Sequence, residues 1–254
     1  MRKIIAIAFL NFKQGIREKL FWGVIFFFIF LLGLCVLLGK LSPGETEMVL
    51  RNAGLSGIEL SGLILVVFSL VFSFYREKES RILEVYLSNF SRMHYISGKL
   101  MGYLAICMFY LILAGLGYAL ILYLHNAFIW QVIVGLYTLF LKLSIVICLS
   151  LTLCCLFSNS PVITLLCSLF LYLSGEVAYS AFKIIAGSAN KLQVILFECL
   201  YRILPNLERL DIKSLVIYGE LPAFSFFILS SLYGLGYFLF IWLIMQFIFL
   251  RKEY

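Results

Sequence analysis

The stretch that decides the fold runs from residue 142 to residue 176 and reads KLSIVICLSLTLCCLFSNSPVITLLCSLFLYLSGE. Two long apolar runs flank a short polar segment, Ser158-Asn159-Ser160-Pro161, which predicts a turn between two membrane-spanning helices. Lys142 and Glu176 each lie 17 residues from Asn159, which is roughly 25 Å of helix rise. We therefore expect both charges at one depth in a helical hairpin whose turn faces the cytoplasm.

We take Lys142 and Glu176 as the only ionisable residues deep inside apolar segments. A charge near the bilayer centre costs about 3 kcal/mol on insertion scales, so both side chains should face protein or water. The sequence leaves two questions open. The two residues either pair directly or do not, and they either fix helix packing only or bind a substrate.

Polar residues recur at helical spacing along both helices of this hairpin. The first helix carries Gln131, Gly135, Thr138 and Lys142, and the second carries Tyr172, Glu176, Tyr179, Ser180 and Lys183. Residues at this spacing share one face of a helix. We therefore predict a buried polar or translocation path formed by Gln131, Thr138, Lys142 and Glu176.

Composition places the whole chain in the membrane class. Of 254 residues, 63% are hydrophobic and 13% are charged, and the mean hydropathy is +1.06. A helix crosses a bilayer with about 20 apolar residues. The sequence predicts one all-α transmembrane domain over residues 1–254 with six spans, at 20–40, 58–75, 100–124, 128–157, 161–186 and 222–250.

The distribution of Lys and Arg predicts the orientation. Twelve basic residues fall in the N-terminal segment, in the 76–99 loop or at the C-terminus, whereas the opposite side holds seven. The positive-inside rule then places both termini in the cytoplasm. These residues form clusters beside the spans, so the net charge of +7 does not indicate nucleic-acid binding.

Two segments on the predicted cytoplasmic side have amphipathic patterns. Residues 1–19 have an apolar stripe of Ile5, Phe9, Phe12, Ile16 and Leu20, with Asn11, Gln14 and Glu18 on the opposite face. This pattern predicts a helix at the membrane interface; the alternative is that the segment simply extends the first span. The 76–99 region predicts a helix with an apolar side and a mixed-charge side. This helix either receives a partner or is only a solvated loop helix lying on lipid.

On the other side, residues 187–221 form the largest predicted outer region. Residues 192–204 are apolar but too short to span, which predicts an interfacial or re-entrant helix. Pro205 then acts as a helix breaker, and Asn206 is a plausible cap for a further short helix containing Glu208. These elements form either an outer lid or a simple solvated loop.

Sequence patterns for catalysis are lacking. The nearest approach to a phosphate-binding loop, Gly33 with Gly39-Lys40-Leu41, has the wrong spacing and lacks Ser or Thr. The seven cysteines have no CxxC spacing and lie almost wholly in predicted spans. We expect a chain that is not an enzyme and that binds no metal or cofactor.

The segment over residues 75–102 contains five short motifs, Arg76-Glu77-Lys78-Glu79, Ile82-Leu83-Glu84, Leu87-Ser88, Ser91-Arg92 and the run from Tyr95 to Gly102. With these motifs the segment resembles the first cytoplasmic loop of ABC-2 type transporter permeases. The six-span layout and Pro205-Asn206-Leu207-Glu208 before the last span are similar to the branch that includes nitrous-oxide-reductase maturation and gliding-motility permeases. The chain differs from the family at Ser80-Arg81, where Gly-Thr is common, and at Phe90, where Pro is usual.

This resemblance implies a type V exporter-like permease in a bacterial cytoplasmic (inner) membrane. Two copies would pair as a homodimer, and each would dock a separate cytoplasmic ATPase that holds ATP and Mg²⁺. The docking residues would be Glu77, Glu79, Arg81, Glu84 and Arg92 in a coupling helix over 77–92. The substrate would be lipidic or otherwise hydrophobic, and a periplasmic accessory protein is a possible partner.

Two alternatives to transport stay open. One is an ABC-like complex that converts ATP hydrolysis into mechanical action on a periplasmic partner through residues 187–221. The other is an unrelated channel or scaffold.

Overall fold

The computed structural model describes residues 2–42, 44–157, 159–186, 205–220 and 222–252. These residues form helices and connections, with no strand among them. The helices are α1 (Arg2–Arg17), α2 (Lys19–Leu41), α3 (Thr46–Glu79), α4 (Ile82–Asn89), α5 (Arg92–Leu124), α6 (Gln131–Leu156), α7 (Pro161–Ala186), a 3-10 helix (Leu207–Leu210), α8 (Lys213–Tyr218) and α9 (Phe224–Arg251). The predicted all-α class is confirmed, whereas the predicted short helix over 192–204 lies outside the described residues.

The chain is a multi-pass membrane protein. Five helices within the described residues, α2, α3, α5, α6 and α9, are long and apolar enough to cross a bilayer. Helix α7 has 26 residues, and its apolar segment within the residues whose side chains are described is Pro161–Val177. The sixth crossing at 161–186 stays a prediction.

Two of these helices extend well beyond the predicted spans. Helix α3 has 34 residues and is roughly 50 Å long, so it continues past both ends of the 58–75 run. Helix α5 begins at Arg92 rather than at residue 100. Apolar runs mark where a helix meets hydrocarbon, but the backbone hydrogen bonds continue through polar residues until a cap or a turn ends them.

Residues 76–99 do not form one coupling helix over 77–92. Helix α3 ends at Glu79, and Arg81 has a left-handed backbone with φ of +56°. This conformation is unfavourable for a residue with a side chain and reverses the helical path. The eight residues of α4 follow, and then Ser91 caps α5 by accepting a hydrogen bond from the backbone N–H of His94 at 3.4 Å.

The N-terminal helix α1 packs along α5. A methyl group added at Gly98 would lie 2.8 Å from the Ile7 side chain, and one at Gly102 would lie 2.7 Å from Cβ of Asn11. Gly98 and Gly102 are four residues apart, so they form one small-residue surface on which another helix can approach closely. This contact holds α1 against the bundle.

The faces of α1 have different environments. Asn11, predicted on the face opposite the apolar stripe, is buried, and its amide donates to the carbonyl of Ile7 at 3.0 Å. Ile5 and Phe9 of the apolar stripe are 66% and 64% exposed. The reason is that small and polar residues fit the close approach to α5, whereas large apolar side chains are stable facing lipid.

Polar contacts gather the helix ends into two groups. At one end, Lys78 reaches Asn159 at 3.1 Å and Lys252 donates to the carbonyl of Cys155 at 2.8 Å. At the other end, Arg51 donates to the carbonyl of Ala127 at 3.0 Å. The first group contains the clusters predicted to be cytoplasmic, and the second contains the segments predicted to be outside.

Candidate functional site

A buried cluster of acids and bases lies inside the bundle where α3, α6, α7 and α8 meet. Lys142 of α6 forms ion pairs with Glu59 of α3 and Glu176 of α7. Glu59 forms a second ion pair with Lys213 at the start of α8. The hydroxyl of Tyr172 donates to Glu59 at 2.7 Å. We call Glu59, Lys142, Tyr172, Glu176, Asp211 and Lys213 the central cluster.

Close packing brings the outer segment, residues 205–220, to this depth. A methyl group added at Gly175 would lie 2.8 Å from the carbonyl oxygen of Pro205. Only a residue without a side chain allows this contact beside Glu176. Leu207, Leu210 and Val216 are fully buried, so apolar burial holds the segment while it delivers Lys213 to Glu59.

Two members of the central cluster are deeply buried, and the cluster carries an excess of negative charge. Glu59 is 4% exposed and Lys142 is 1% exposed. With every group ionised, the three carboxylates and two ammonium groups sum to −1. Isolated charges are very costly to bury, but ion pairs with good geometry and further hydrogen bonds offset much of that cost. Lys142 lies between Glu59 and Glu176. Lys213 lies between Glu59 and Asp211.

Lys213 shows how the cluster maintains its charges. Its ammonium lies 3.6 Å from Asp211 in addition to its contact with Glu59. Burial opposes the charged form, but the carboxylates of Glu59, Asp211 and Glu176 outweigh burial and raise the pKa of Lys213 above its usual range. Lys213 is therefore a cation at neutral pH.

The predicted polar path is only partly assembled around this cluster. Lys142 and Glu176 pair directly, which answers one question that the sequence left open. Gln131 donates to the carbonyl of Gly219 at 2.6 Å near the end of the bundle, and Thr138 donates to the carbonyl of Gly135 at 3.0 Å. Thr138 lines a cavity of about 10 Å³ beside Lys213. Such a cavity holds about one water molecule.

Glu59 and Lys213 were not among the predicted site residues. The prediction that only Lys142 and Glu176 are ionisable residues deep in apolar segments is wrong, because Glu59 lies within the predicted 58–75 span and is buried. The depth of Glu59 could have been predicted, because Glu59 lies 17 residues before Arg76. Lys142 and Glu176 are separated from Asn159 by the same number of residues. No local signal marks Lys213, because only the folding of the outer segment brings it inward.

A second buried cluster lies near the basic end of the bundle. Lys99 is completely buried and forms an ion pair with Glu77 at 2.7 Å. The hydroxyl of Tyr95 donates to the same carboxylate at 2.5 Å, and Ser73 donates to its other oxygen at 3.1 Å. Lys99 also lies 5.1 Å from the centre of the Phe74 ring. This cluster ties the end of α3 to the start of α5.

The five residues predicted to contact an ATPase have different environments. Glu79, Arg81 and Glu84 are exposed at the turn before α4 and on α4 itself. Glu77 instead faces the interior and pairs with Lys99. Arg92 is half-buried and donates to the carbonyls of Leu250 and Lys252, both at 2.9 Å, at the end of α9. Only the first three present their charges to a partner in this conformation.

The residues predicted for the outer lid lie against the bundle. Pro205 and Asn206 are buried, and Glu208 is half-buried. The Asn206 side chain accepts from the backbone N–H of Arg209 at 3.4 Å, as predicted for a helix cap, and the backbone N–H of Asn206 donates to Tyr233 at 2.7 Å. The outer segment therefore covers the central cluster from one end.

In the part of the chain that the structure describes, no group of three His, Cys, Asp or Glu residues has the arrangement of a metal site. The six described cysteines are not in disulfides, and five of them are buried. Cys199 lies outside the described residues.

Comparisons with known proteins identify no family for this chain. No family model matches it, and no curated protein matches it significantly.

Proposed function

We propose that the chain is the membrane-spanning permease subunit of an ATP-binding cassette transporter, driven by a separate cytoplasmic ATPase. The observation that carries the proposal is α4, a short exposed helix held between two long helices at the basic end of the bundle. The resemblance of residues 75–102 to the first cytoplasmic loop of ABC-2 permeases points to the same segment.

Helix α4 has the features of a docking element. Leu83 is buried and Tyr86 packs on Tyr95 with ring centres 5.6 Å apart, so one side of α4 is anchored to the bundle. The other side presents Glu84 and Val85, and Val85 is 61% exposed. An exposed apolar residue beside charges of both signs is typical of a polar-rimmed protein interface.

Helix α3 runs without a break from the turn that precedes α4 to the central cluster. Glu77 and Glu59 both lie on α3, 18 residues apart, which is roughly 27 Å of helix. The Glu77–Lys99 ion pair fixes the C-terminal end of α3 against α5. A partner that pushes on α4 would therefore move α3 as a rigid rod and change the contacts of Glu59.

In the proposed mechanism, two copies of the chain pair and each binds one ATPase, which holds ATP and Mg²⁺. Closure of the ATPases would displace α4 and α3 and separate Glu59 from Lys142 or Lys213. The outer segment would then move away from the bundle and open a path for a hydrophobic or lipidic substrate. Coupling of this kind requires a structural element that has two discrete arrangements.

The direct test is co-purification of the ATPase. The tagged chain would be purified in mild detergent from the cells that make it, and bound subunits would be identified by mass spectrometry and by ATP hydrolysis. The double variant Arg81→Glu with Glu84→Arg should lose the ATPase, because both charges are exposed and neither contributes to the buried clusters.

A matched control uses two exposed charges at the other end of the bundle. Lys40→Glu with Glu45→Lys also conserves net charge and should retain the ATPase. An unchanged yield of ATPase with the α4 variant, or the lack of any nucleotide-hydrolysing subunit in the wild-type sample, would contradict the proposal.

One observation favours a second candidate, the mechanotransmission complex. The outer segment is tied through Lys213 to Glu59, so movement of α3 would also move the surface formed by residues 205–220. ATP-dependent release of a labelled hydrophobic substrate from proteoliposomes would favour transport. ATP-dependent binding of a periplasmic protein without such release would favour mechanical coupling.

A further inference from the structure

An apolar groove of about 460 Å³ lies between α2 and α5, next to the end of α1. Its walls include Trp22, Ile25 and Ile29 of α2 together with Phe109 and Leu113 of α5. All the described residues that line it are uncharged. The volume is within the range of about 300–1,000 Å³ that is typical of pockets for small ligands. The groove therefore suits an apolar chain.

The groove follows α2 over the depth of one bilayer leaflet. Along α2 its lining extends from Trp22 to Leu32, which are ten residues (32 minus 22) and roughly 15 Å apart. The hydrocarbon core of a bilayer is about 30 Å thick, so half of it matches this length. Trp22 is 59% exposed, and tryptophan is enriched at the level of the lipid headgroups. A lipid with its headgroup near Trp22 can extend one acyl chain along the groove toward Leu32.

Two lysines adjoin the Trp22 end of the groove. Ile16 of α1 is part of the lining, and Lys13 lies three residues before it on the same helix. Lys19 lies three residues before Trp22 on α2. Side chains three residues apart are neighbours on a helix surface. Both lysines are exposed, so both can reach a headgroup at this level.

The nearest acid in the sequence does not compensate these two cations. Glu18 forms an ion pair with Arg76 of α3 and accepts a hydrogen bond from Ser69 at 3.2 Å. Its side chain is only 16% exposed. In the part of the chain that the structure describes, no ion pair involves Lys13 or Lys19. Two uncompensated ammonium groups beside an apolar groove match a ligand that has an anionic head and an apolar body.

We propose that this groove binds an anionic phospholipid, with Lys13 and Lys19 on the headgroup and one acyl chain between α2 and α5. A zwitterionic headgroup would bring a cation next to both lysines, whereas a headgroup with net negative charge is attracted by them. The bound chain would also contact Ile16, so the lipid would join α1 to α2 and α5. This binding site does not depend on an ATPase partner.

The test is native mass spectrometry of the purified chain, titrated in detergent with dioleoyl phosphatidylglycerol or dioleoyl phosphatidylcholine. These probes share the acyl chains and the phosphate and differ in net charge. Each basic residue near an anionic headgroup contributes roughly fivefold in binding, so we expect the wild type to bind phosphatidylglycerol about 25-fold more tightly. Lys13→Gln or Lys19→Gln should each reduce this preference about fivefold, and the double variant should abolish it. Lys40→Gln, an exposed cation at the other end of α2, is the control and should bind as the wild type does.

A second variant tests the groove itself. Gly117→Phe should weaken the binding of both lipids, because Gly117 lines the groove and a methyl group added there would meet nothing within 4 Å. Gly236→Phe, at an equally open position of α9, is the control.

Three results would overturn the proposal. The first is equal binding of both lipids by the wild type, and the second is unchanged phosphatidylglycerol binding by the monodisperse double lysine variant. The third is unchanged lipid binding by the monodisperse Gly117→Phe variant. If that variant also converts a dimer into single chains, the groove is an interface between two copies of this chain.

Discussion

Glu59 of α3 and Lys213 of α8 form an ion pair that joins the interior of the bundle to the segment covering its outer end. Glu59 is 154 residues away in sequence from Lys213 (213 minus 59), and the two are brought together by burial of the outer segment. This pair makes the position of that segment sensitive to the position of α3.

Replacement of Lys213 by Gln should loosen the outer segment. Glu59 would lose one of its two cations, and the segment would lose its charged anchor. We expect amide exchange over residues 206–218 to accelerate roughly tenfold to a hundredfold, corresponding to about 1–3 kcal/mol for a partly exposed ion pair. Hydrogen–deuterium exchange of the purified protein measures this. Ser214→Ala, at an exposed position of the same helix, is the control; equal protection in both variants would contradict the anchoring role.

Replacement of Lys142 by Met should destabilise the bundle strongly. The change leaves Glu176 without its ammonium partner and leaves Glu59 with only Lys213. Removing one member of a buried ion pair costs about 3–5 kcal/mol. Unfolding in SDS, followed by tryptophan fluorescence, should show the loss. The double variant Lys142→Met with Glu176→Gln should regain part of it, whereas wild-type stability of the single variant would show that the ion pairs contribute little.

Replacement of Gly98 or Gly102 by Leu should detach α1 from α5. Each leucine would overlap with α1, and overpacking of this kind costs about 1–3 kcal/mol. Faster amide exchange over residues 2–17, without loss of the long helices, is the expected result. Gly117→Leu provides the matched control, since Gly117 is on the same helix with nothing near its Cβ position. A similar response in all three variants would argue against a specific α1 contact.

Replacement of Glu77 by Gln should lower the stability of the protein, whereas replacement of Glu79 by Gln should not. Glu77→Gln leaves Lys99 as an uncompensated buried cation, and a thermal-unfolding assay should show a loss of about 3 kcal/mol or more. Glu79→Gln should leave stability close to that of the wild type because its side chain is exposed. If Glu79 serves docking, its variant alone should weaken ATPase retention in a folded protein. Equal stability of the two variants would contradict the structural role of Glu77.

Long apolar runs and the polar turns between them were sufficient to predict much of the fold. The run from Lys142 to Glu176 predicted two helices and a turn, and α6 and α7 have that arrangement with both charges in contact. This works because a helix satisfies its own backbone hydrogen bonds, so its existence depends on local sequence. The lengths of α3 and α5 were underestimated, because polar helix ends carry no hydropathy signal.

Tertiary structure alone decided which polar residues meet. Asn11 was assigned only to the face opposite the apolar stripe, and the glycine surface of α5 buries it. Glu77 and Glu79 are two residues apart on one helix, and only the rotation of α3 places one beside Lys99 and the other in contact with solvent.

The amino-acid sequence by itself determined that this chain is a bundle of membrane helices with buried charges at a shared depth, because hydrocarbon tolerates few other solutions. The three-dimensional structure decided the partners of those charges. Helix rotation and the inward folding of residues 205–220 depend on contacts between segments far apart in the chain, and no local pattern specifies these contacts.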